Sequence, residues 1–170
     1  MKIIFIRHAI AEDRTAFAKI SKNDGLRPLT EKGIKRIEQS RQGLKRVEPI
    51  ADYIFSSTLV RAIQTADLIG ELYPEATRKA ITQLNPGSDP AKLNSLLADL
   101  PPQSTALLIG HEPDLSELIS WYTNGSHFNF LQLKRGAACL LQFKDTPKPA
   151  SAEMIWLLPP RQLRSLGQKK

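Results

Sequence analysis

Three places in this 170-residue sequence set basic or nucleophilic side chains just beyond short apolar runs. Ile3 Ile4 Phe5 Ile6 leads straight into Arg7 and His8. Tyr53 Ile54 Phe55 leads through Ser56, Ser57 and Thr58 to Arg61, and Leu107 Leu108 Ile109 Gly110 leads into His111. A guanidinium beside an imidazole can grip a phosphoryl group through paired N–H bonds and attack it through a ring nitrogen. Taken alone, Arg7-His8 also fits the polar end that any strand needs; a second histidine at a second strand end, His111, shifts the balance toward a site. Arg61 falls in the first turn of the helix expected after Thr58. A cation there opposes the helix dipole at a cost of about 0.3–1 kcal/mol. A bound anion held jointly by the helix N-terminus and the guanidinium would offset that cost; the bland alternative is an arginine pointing into solvent.

The elements that must position these residues follow from pattern. The runs at 3–6 and 105–110 have the composition of strands buried on both faces of a parallel sheet covered by helices. In such sheets ligands bind beyond the carboxyl ends of the strands, which is where Arg7, His8 and His111 fall. Segment 9–25 is polar and reads as a loop with one short helical turn, long enough to suggest function. Thr30 caps a helix that continues to about Arg46, with Leu29 stapled to Ile34. Its apolar or small face is Gly33, Ile37, Ser40, Leu44 and Val47, and the face bearing Lys32, Lys35, Arg36, Arg41 and Lys45 goes to solvent. A helix over about 59–72 and a short strand within 76–82 follow. Asp89 then caps a helix with Pro90 at its first position, a role that outweighs a catalytic one. Glu112-Pro113-Asp114 opens a helix burying Leu115, Leu118, Ile119 and Tyr122. Two closing strands, 137–143 and 153–158, form an antiparallel pair at the sheet edge. The expected fold is α/β, a three-layer α/β/α sandwich with a mostly parallel central sheet and an antiparallel edge strand. It is a single domain over 1–170, with a solvated basic tail over 161–170.

A composition of 41% hydrophobic residues suffices for one core. The first apolar run is too short to span a bilayer and lacks the layout of a secretory signal, so a soluble, cytoplasmic protein with no membrane partner is expected. The lone Cys139 excludes an intramolecular disulfide framework and a multi-cysteine metal site, and reads as buried strand filler. A net charge of +7 points to an anionic partner. The excess, however, sits at the two ends: residues 1–50 carry 12 Lys and Arg against 6 acids, 51–130 carry 4 against 9, and 131–170 carry 8 against 2. With aromatics at 6%, the interleaving of basic and aromatic residues that marks nucleic-acid binding is not evident, and no nucleic-acid partner is expected. His127 lies in a loop away from any strand end and reads as a surface residue.

Taken together, Ile6 Arg7 His8, then Arg27 Pro28 Leu29 Thr30 Glu31 Lys32 Gly33, then Ser56 Ser57 with Arg61 Ala62 and Gln64 Thr65, then Gly110 His111 Glu112 Pro113, resemble the histidine phosphatase superfamily in order and spacing. The branch resembled includes phosphoglycerate mutases and, closest in size, the SixA phosphohistidine phosphatases; Leu157 Leu158 Pro159 Pro160 Arg161 is similar to cyanobacterial SixA relatives. The resemblance covers nearly the whole chain. It implies that His8 is the nucleophile that becomes phosphorylated and that Arg7, Arg61 and His111 form the phosphate pocket, with no metal and no cofactor. Arg27, Ser57, Asp89 and Glu112 are implied as further substrate or supporting contacts. Two departures stand out: Ala9 replaces the usual glycine, and segment 83–89 offers no equivalent of the carboxylate with which mutase and acid phosphatase relatives protonate the leaving group.

The expected substrate is therefore phosphohistidine on a signalling protein, such as a histidine phosphotransfer domain, since an imidazole leaves readily once protonated. The alternatives are a small-ester phosphatase or mutase of the same superfamily and a non-enzymatic protein that binds anions or nucleic acid. A monomer is expected. The positive charge of Arg7 and Arg61 is expected to lower the pKa of His8 from about 6.5, keeping it neutral and nucleophilic.

Overall fold

In the computed structural model, which describes residues 1–168, strand β1 (Lys2–Arg7) has no polar side chain between its ends because both of its faces are covered. Its side chains alternate. Ile4 and Ile6 join a cluster with Ile37, Leu44, Ile69 and Leu163, while Ile3 and Phe5 join a second cluster with Leu93, Leu97, Ile119 and Tyr122. The first cluster belongs to helices α2 (Glu31–Val47), α3 (Val60–Gly70) and α6 (Pro160–Gly167), the second to α4 (Pro90–Ala98) and α5 (Asp114–Asn124). A sheet with apolar residues on both sides and helices over each is the expected three-layer α/β/α architecture.

The remaining strands are β2 (Tyr53–Ser56), β3 (Thr77–Ala80), β4 (Thr105–Gly110), β5 (Ala138–Phe143) and β6 (Ala152–Leu158), and the sheet order is β3-β2-β4-β1-β5-β6. β1, β2, β3 and β4 are parallel, and the expected antiparallel pair closes the sheet: β5 runs against β1, and β6 runs against β5. Register decides where the functional side chains arrive. Arg7 lies opposite Gly110 and Ser56 opposite Ile109, so the three parallel strands end level and release His8, Ser57 and His111 at one rim.

Segment 9–25 holds the short helix α1 (Arg14–Phe17), followed by a 3-10 turn at Asp24–Leu26. The Thr30 hydroxyl accepts from Gly33 N at 3.0 Å, starting α2 where its sequence predicts. The polar face of α2 is not all solvated, because Arg41 donates to the Leu68 carbonyl and pairs with Glu71, and Lys45 lies 4.3 Å over the Tyr73 ring. The largest departure is at the C-terminus. In place of a solvated tail from Arg161, residues Pro160–Gly167 form α6, packed along α2. Leu163 is buried, and the backbones approach so closely that a side chain at Gly43 would strike the Leu163 carbonyl at 1.9 Å. Lys169 and Lys170, the end of that expected tail, lie outside the described residues. No helix among the described residues is long and apolar enough to cross a membrane.

Candidate active site

His8 stands one residue beyond β1, with its backbone N–H bonded to the Gly110 carbonyl at 3.1 Å. That bond stitches the ends of β1 and β4 together and brings the His8 and His111 rings to a centroid separation of 5.0 Å. His8 Nδ1 lies 2.7 Å from the Ala9 carbonyl oxygen. A carbonyl can only accept, so Nδ1 carries the proton and Nε2 keeps its lone pair. The Ala9 N–H is held by Thr65 Oγ1 at 3.1 Å, and Thr65 in turn donates to the Arg61 carbonyl at 2.7 Å, tying the strand end to the first turn of α3. Ala9 keeps a negative φ and its methyl group is buried in the core, so alanine fits where the family's glycine is usual.

Arg61 is 3% exposed, which removes the solvent-facing alternative. Its Nη1 donates to the Asp24 carbonyl at 3.0 Å and lies 3.3 Å from the Asp24 carboxylate. Arg27 donates from Nε to the same carboxylate at 2.8 Å and from Nη1 to the Glu12 carbonyl at 2.8 Å. With Arg14 at 3.4 Å, Asp24 thus gathers three arginines at the wall of the cleft; the hydrogen bond from Arg27 is the main reason its pKa is drawn down to about 2. Arg7 donates from Nη1 to the Leu133 carbonyl at 2.7 Å. Leu133 N–H donates to Glu112 at 3.1 Å, and both Glu112 oxygens accept from Ser116 Oγ. Burial raises the Glu112 pKa.

These side chains surround a cleft of about 460 Å³ lined by Arg7, His8, Arg14, Arg27, Arg61, Pro86, His111 and Arg135 and by the acids Glu12, Asp13 and Glu112. Arg7 Nε, Arg61 Nε and both ring nitrogens of His111 are buried without a protein hydrogen-bond partner. The two guanidinium Nε groups and the one His111 nitrogen that carries a proton are buried donors that call for an acceptor, and a tetrahedral oxyanion supplies several at once. The pKa of His8 is lowered to about 3 and that of His111 to about 4. The direction at His8 is the expected one, but the leading cause is burial, followed by His111, with Arg61 and Arg7 behind. Among the described residues no three His, Cys, Asp or Glu side chains converge as a metal site would require.

Not every residue implicated by the sequence reaches the cleft. Ser57 is fully buried behind it, donating to Asn85 Oδ1 at 2.8 Å. Asn85 also accepts from the Thr58 N–H, and the Gly87 N–H donates to Asp114, so the turn carrying Pro86 is clipped between α3 and α5. Asp89 is exposed and caps α4 by accepting from Ala91 N at 2.9 Å; it does not line the cleft. His127 is on the surface, stacked on Trp121. The residues that sequence reasoning passed over are Asp24, Leu133 and Arg135. Asp24 and Leu133 act through loop geometry with no local signal. Arg135 had one: it precedes a strand antiparallel to β1, so it must stand at the rim where β1 ends.

The sequence pattern of the histidine phosphatase superfamily (branch 1) matches residues 3–84. An uncharacterised protein of Picosynechococcus is 33% identical over 94% of this chain and 100% of its own length. The chain belongs to the histidine phosphatase superfamily. Among solved structures, the fold is shared with the protein histidine phosphatase SixA complexed with tungstate (TM-score 0.81, 20% identity, 96% of this chain and 99% of that one). It is shared also with phosphoglycerate mutase from Plasmodium falciparum (TM-score 0.65, 18% identity, 91% and 88%). A third is phosphoserine phosphatase from Entamoeba histolytica in complex with 3-phosphoglyceric acid (TM-score 0.64, 18% identity, 95% and 98%). In this superfamily member, Gln64 and Thr65 have separate tasks: Gln64 accepts from Leu29 N at 2.8 Å while Thr65 holds Ala9.

Proposed function

We propose that this chain is a phosphatase that takes the phosphoryl group of a phosphohistidine protein onto His8 and then passes it to water. The observation that carries the choice of substrate lies in the turn after β3. It brings Pro86 to the cleft while Asp89, the one acid of segment 83–89, is spent on capping α4. Glu12, Asp13 and Glu112 do line the cleft, with Asp13 capping α1 and Glu112 held by Ser116 and Leu133. An alkoxide leaving group needs a positioned acid, which is worth roughly 10²- to 10⁴-fold; a phosphohistidine expels an imidazole, which leaves neutral once it takes a proton. The open cleft also suits a side chain presented by a partner protein.

In the first step Nε2 of His8, its lone pair kept free by the Nδ1–H to Ala9 bond, attacks phosphorus in line as the P–N bond to the substrate imidazole breaks. The pKa near 3 keeps this ring neutral and nucleophilic at neutral pH. Charge on the three equatorial oxygens is met by Arg7 and Arg61, each held beforehand by a backbone carbonyl, and by the single N–H of neutral His111. Water then attacks the phospho-His8 intermediate and releases inorganic phosphate.

A second reading, a small-ester phosphatase or mutase, is favoured by Glu112, a half-buried cleft carboxylate whose raised pKa suits a proton donor. Its oxygens are already engaged by Ser116 and Leu133, which supports the first reading over it. Comparing kcat/KM for a phosphorylated histidine phosphotransfer domain and for 3-phosphoglycerate tests the choice: the phosphoprotein should be strongly preferred, and preference for phosphoglycerate would refute it. Labelled substrate quenched in alkali should leave acid-labile label on the wild type and none on His8→Ala.

A further inference from the structure

A second groove, of about 490 Å³, adjoins the catalytic cleft and shares Arg7 and Arg135 with it. It runs between α2, the turn before β5 and the first turn of α6. Arg36, Lys134, Arg135, Arg161 and Arg164 line it, and no acidic residue does. Among the described residues none of these five side chains forms an ion pair. Like charges gathered without counter-charges repel one another and concentrate a positive field over the groove. Arg161 adds to the cost, since it stands in the first turn of α6 where no acid balances the helix dipole. The floor is aliphatic, built from Ile10, Ile37, Pro159 and Pro160.

We propose that this groove docks an acidic segment of the phosphoprotein, adjacent in the partner to the side chain that enters the catalytic cleft; the proposal rests on the phosphatase reading of that cleft. The shared wall at Arg7 and Arg135 makes the two continuous, so one partner can occupy both. The cations meet carboxylates, and the aliphatic floor meets the methylene stems and backbone of an extended chain. Nucleic acid is the poorer match, because no aromatic residue lines the groove to stack a base.

The test uses the whole protein and the variant Arg36→Glu/Arg161→Glu. Both positions are exposed and helical, and Arg161→Glu supplies the acid that the first turn of α6 lacks, so folding is preserved. A fluorescent Glu-rich peptide is titrated with each protein at low and high salt. The wild type should bind it, and binding should fall by about tenfold or more in the variant and on adding salt. Turnover of p-nitrophenyl phosphate should be the same in both. Equal peptide binding by wild type and variant, or a preference for a single-stranded oligonucleotide over the peptide, would overturn the proposal. Peptide binding without hydrolysis of any phosphohistidine protein would sink the cleft reading and leave the groove standing. Hydrolysis of a phosphohistidine protein with kcat/KM unaltered in the variant would do the reverse.

Discussion

Removing the two site histidines should flatten the acid dependence of stability. His8 and His111 are 6% and 4% exposed, and their pKa values in the folded chain are about 3 and about 4. In the unfolded chain an imidazole titrates near 6.5. The folded values are the lower ones, so the unfolded chain binds more protons between them. The stabilisation from neutral burial is present in full above pH about 6.5 and drains as the pH falls toward 4 and 3. At pH 5 the unfolded rings are almost wholly protonated and the folded ones still neutral, a loss of about 2 kcal/mol per ring relative to pH 8, or about 4 kcal/mol for the pair. Against a typical domain stability of about 5–15 kcal/mol that is a large share.

The assay is urea unfolding of the wild type and of His8→Gln/His111→Gln at pH 8 and pH 5, in buffers free of phosphate because a bound anion would itself stabilise the fold. Asp24, drawn down by Arg27, and Glu112, raised by burial, titrate in both proteins and cancel in the comparison. The wild type should lose about 4 kcal/mol more than the variant between the two pH values. Equal losses would mean that the two rings are not held neutral by burial.

Arg61→Ala should lower kcat/KM by roughly a hundredfold or more, since its guanidinium is fixed before charge develops; turnover near wild type would remove Arg61 from the phosphate pocket. Glu112→Ala frees Leu133 and with it the acceptor of Arg7, and should cost roughly ten- to a hundredfold in kcat/KM through misplacement. Glu112→Gln keeps an oxygen for the Leu133 N–H and should retain most activity; equal losses in the two variants would instead mark Glu112 as a proton donor. Gly43→Ala should destabilise the protein by about 1–3 kcal/mol in thermal unfolding, because its methyl group meets the Leu163 carbonyl. Thr65→Val leaves the buried Ala9 N–H without its acceptor, and should cost about 1–3 kcal/mol along with activity.

What was legible in the sequence was what local pattern determines. The apolar runs gave β1 and β4, and their parallel ends brought His8 and His111 together. The awkward placement of Arg61 against a helix dipole correctly pointed inward. The Asp89 cap could be read from Asp-Pro alone, and with it the absence of an acid from the turn at the cleft. What stayed hidden depends on distant partners. Counting charges made 161–170 a solvated tail, whereas Leu163 and the close approach of Gly43 and Gly167 to the facing backbone make most of it a helix, through contacts about 120 residues apart in sequence. Asp24 is one acid in a polar loop until the fold sets Arg27 and Arg61 against it. The dominance of burial over guanidinium charge at His8 is a property of the packed core, to which spacing along the chain is blind.

The position of β1 in the sheet has a consequence for how the protein is made. Its two neighbours are β4 and β5, so Ile3 to Ile6 have no partner strand until more than a hundred further residues have been synthesised. Pairings this remote in sequence are slow to form, because the loop they close is long. A nascent chain that has β1, α2, β2 and α3 outside the ribosome already carries Arg7, His8 and Arg61 but lacks β4, whose Gly110 carbonyl holds the His8 N–H, and with it His111. Its most apolar segment remains an open binding site for chaperones until β4 and then β5 emerge. Assembly of the cleft that gathers Arg7, His8, Arg61 and His111 and burial of that segment are therefore the same late event, and a chain stopped before β5 would both lack a complete cleft and be prone to aggregate.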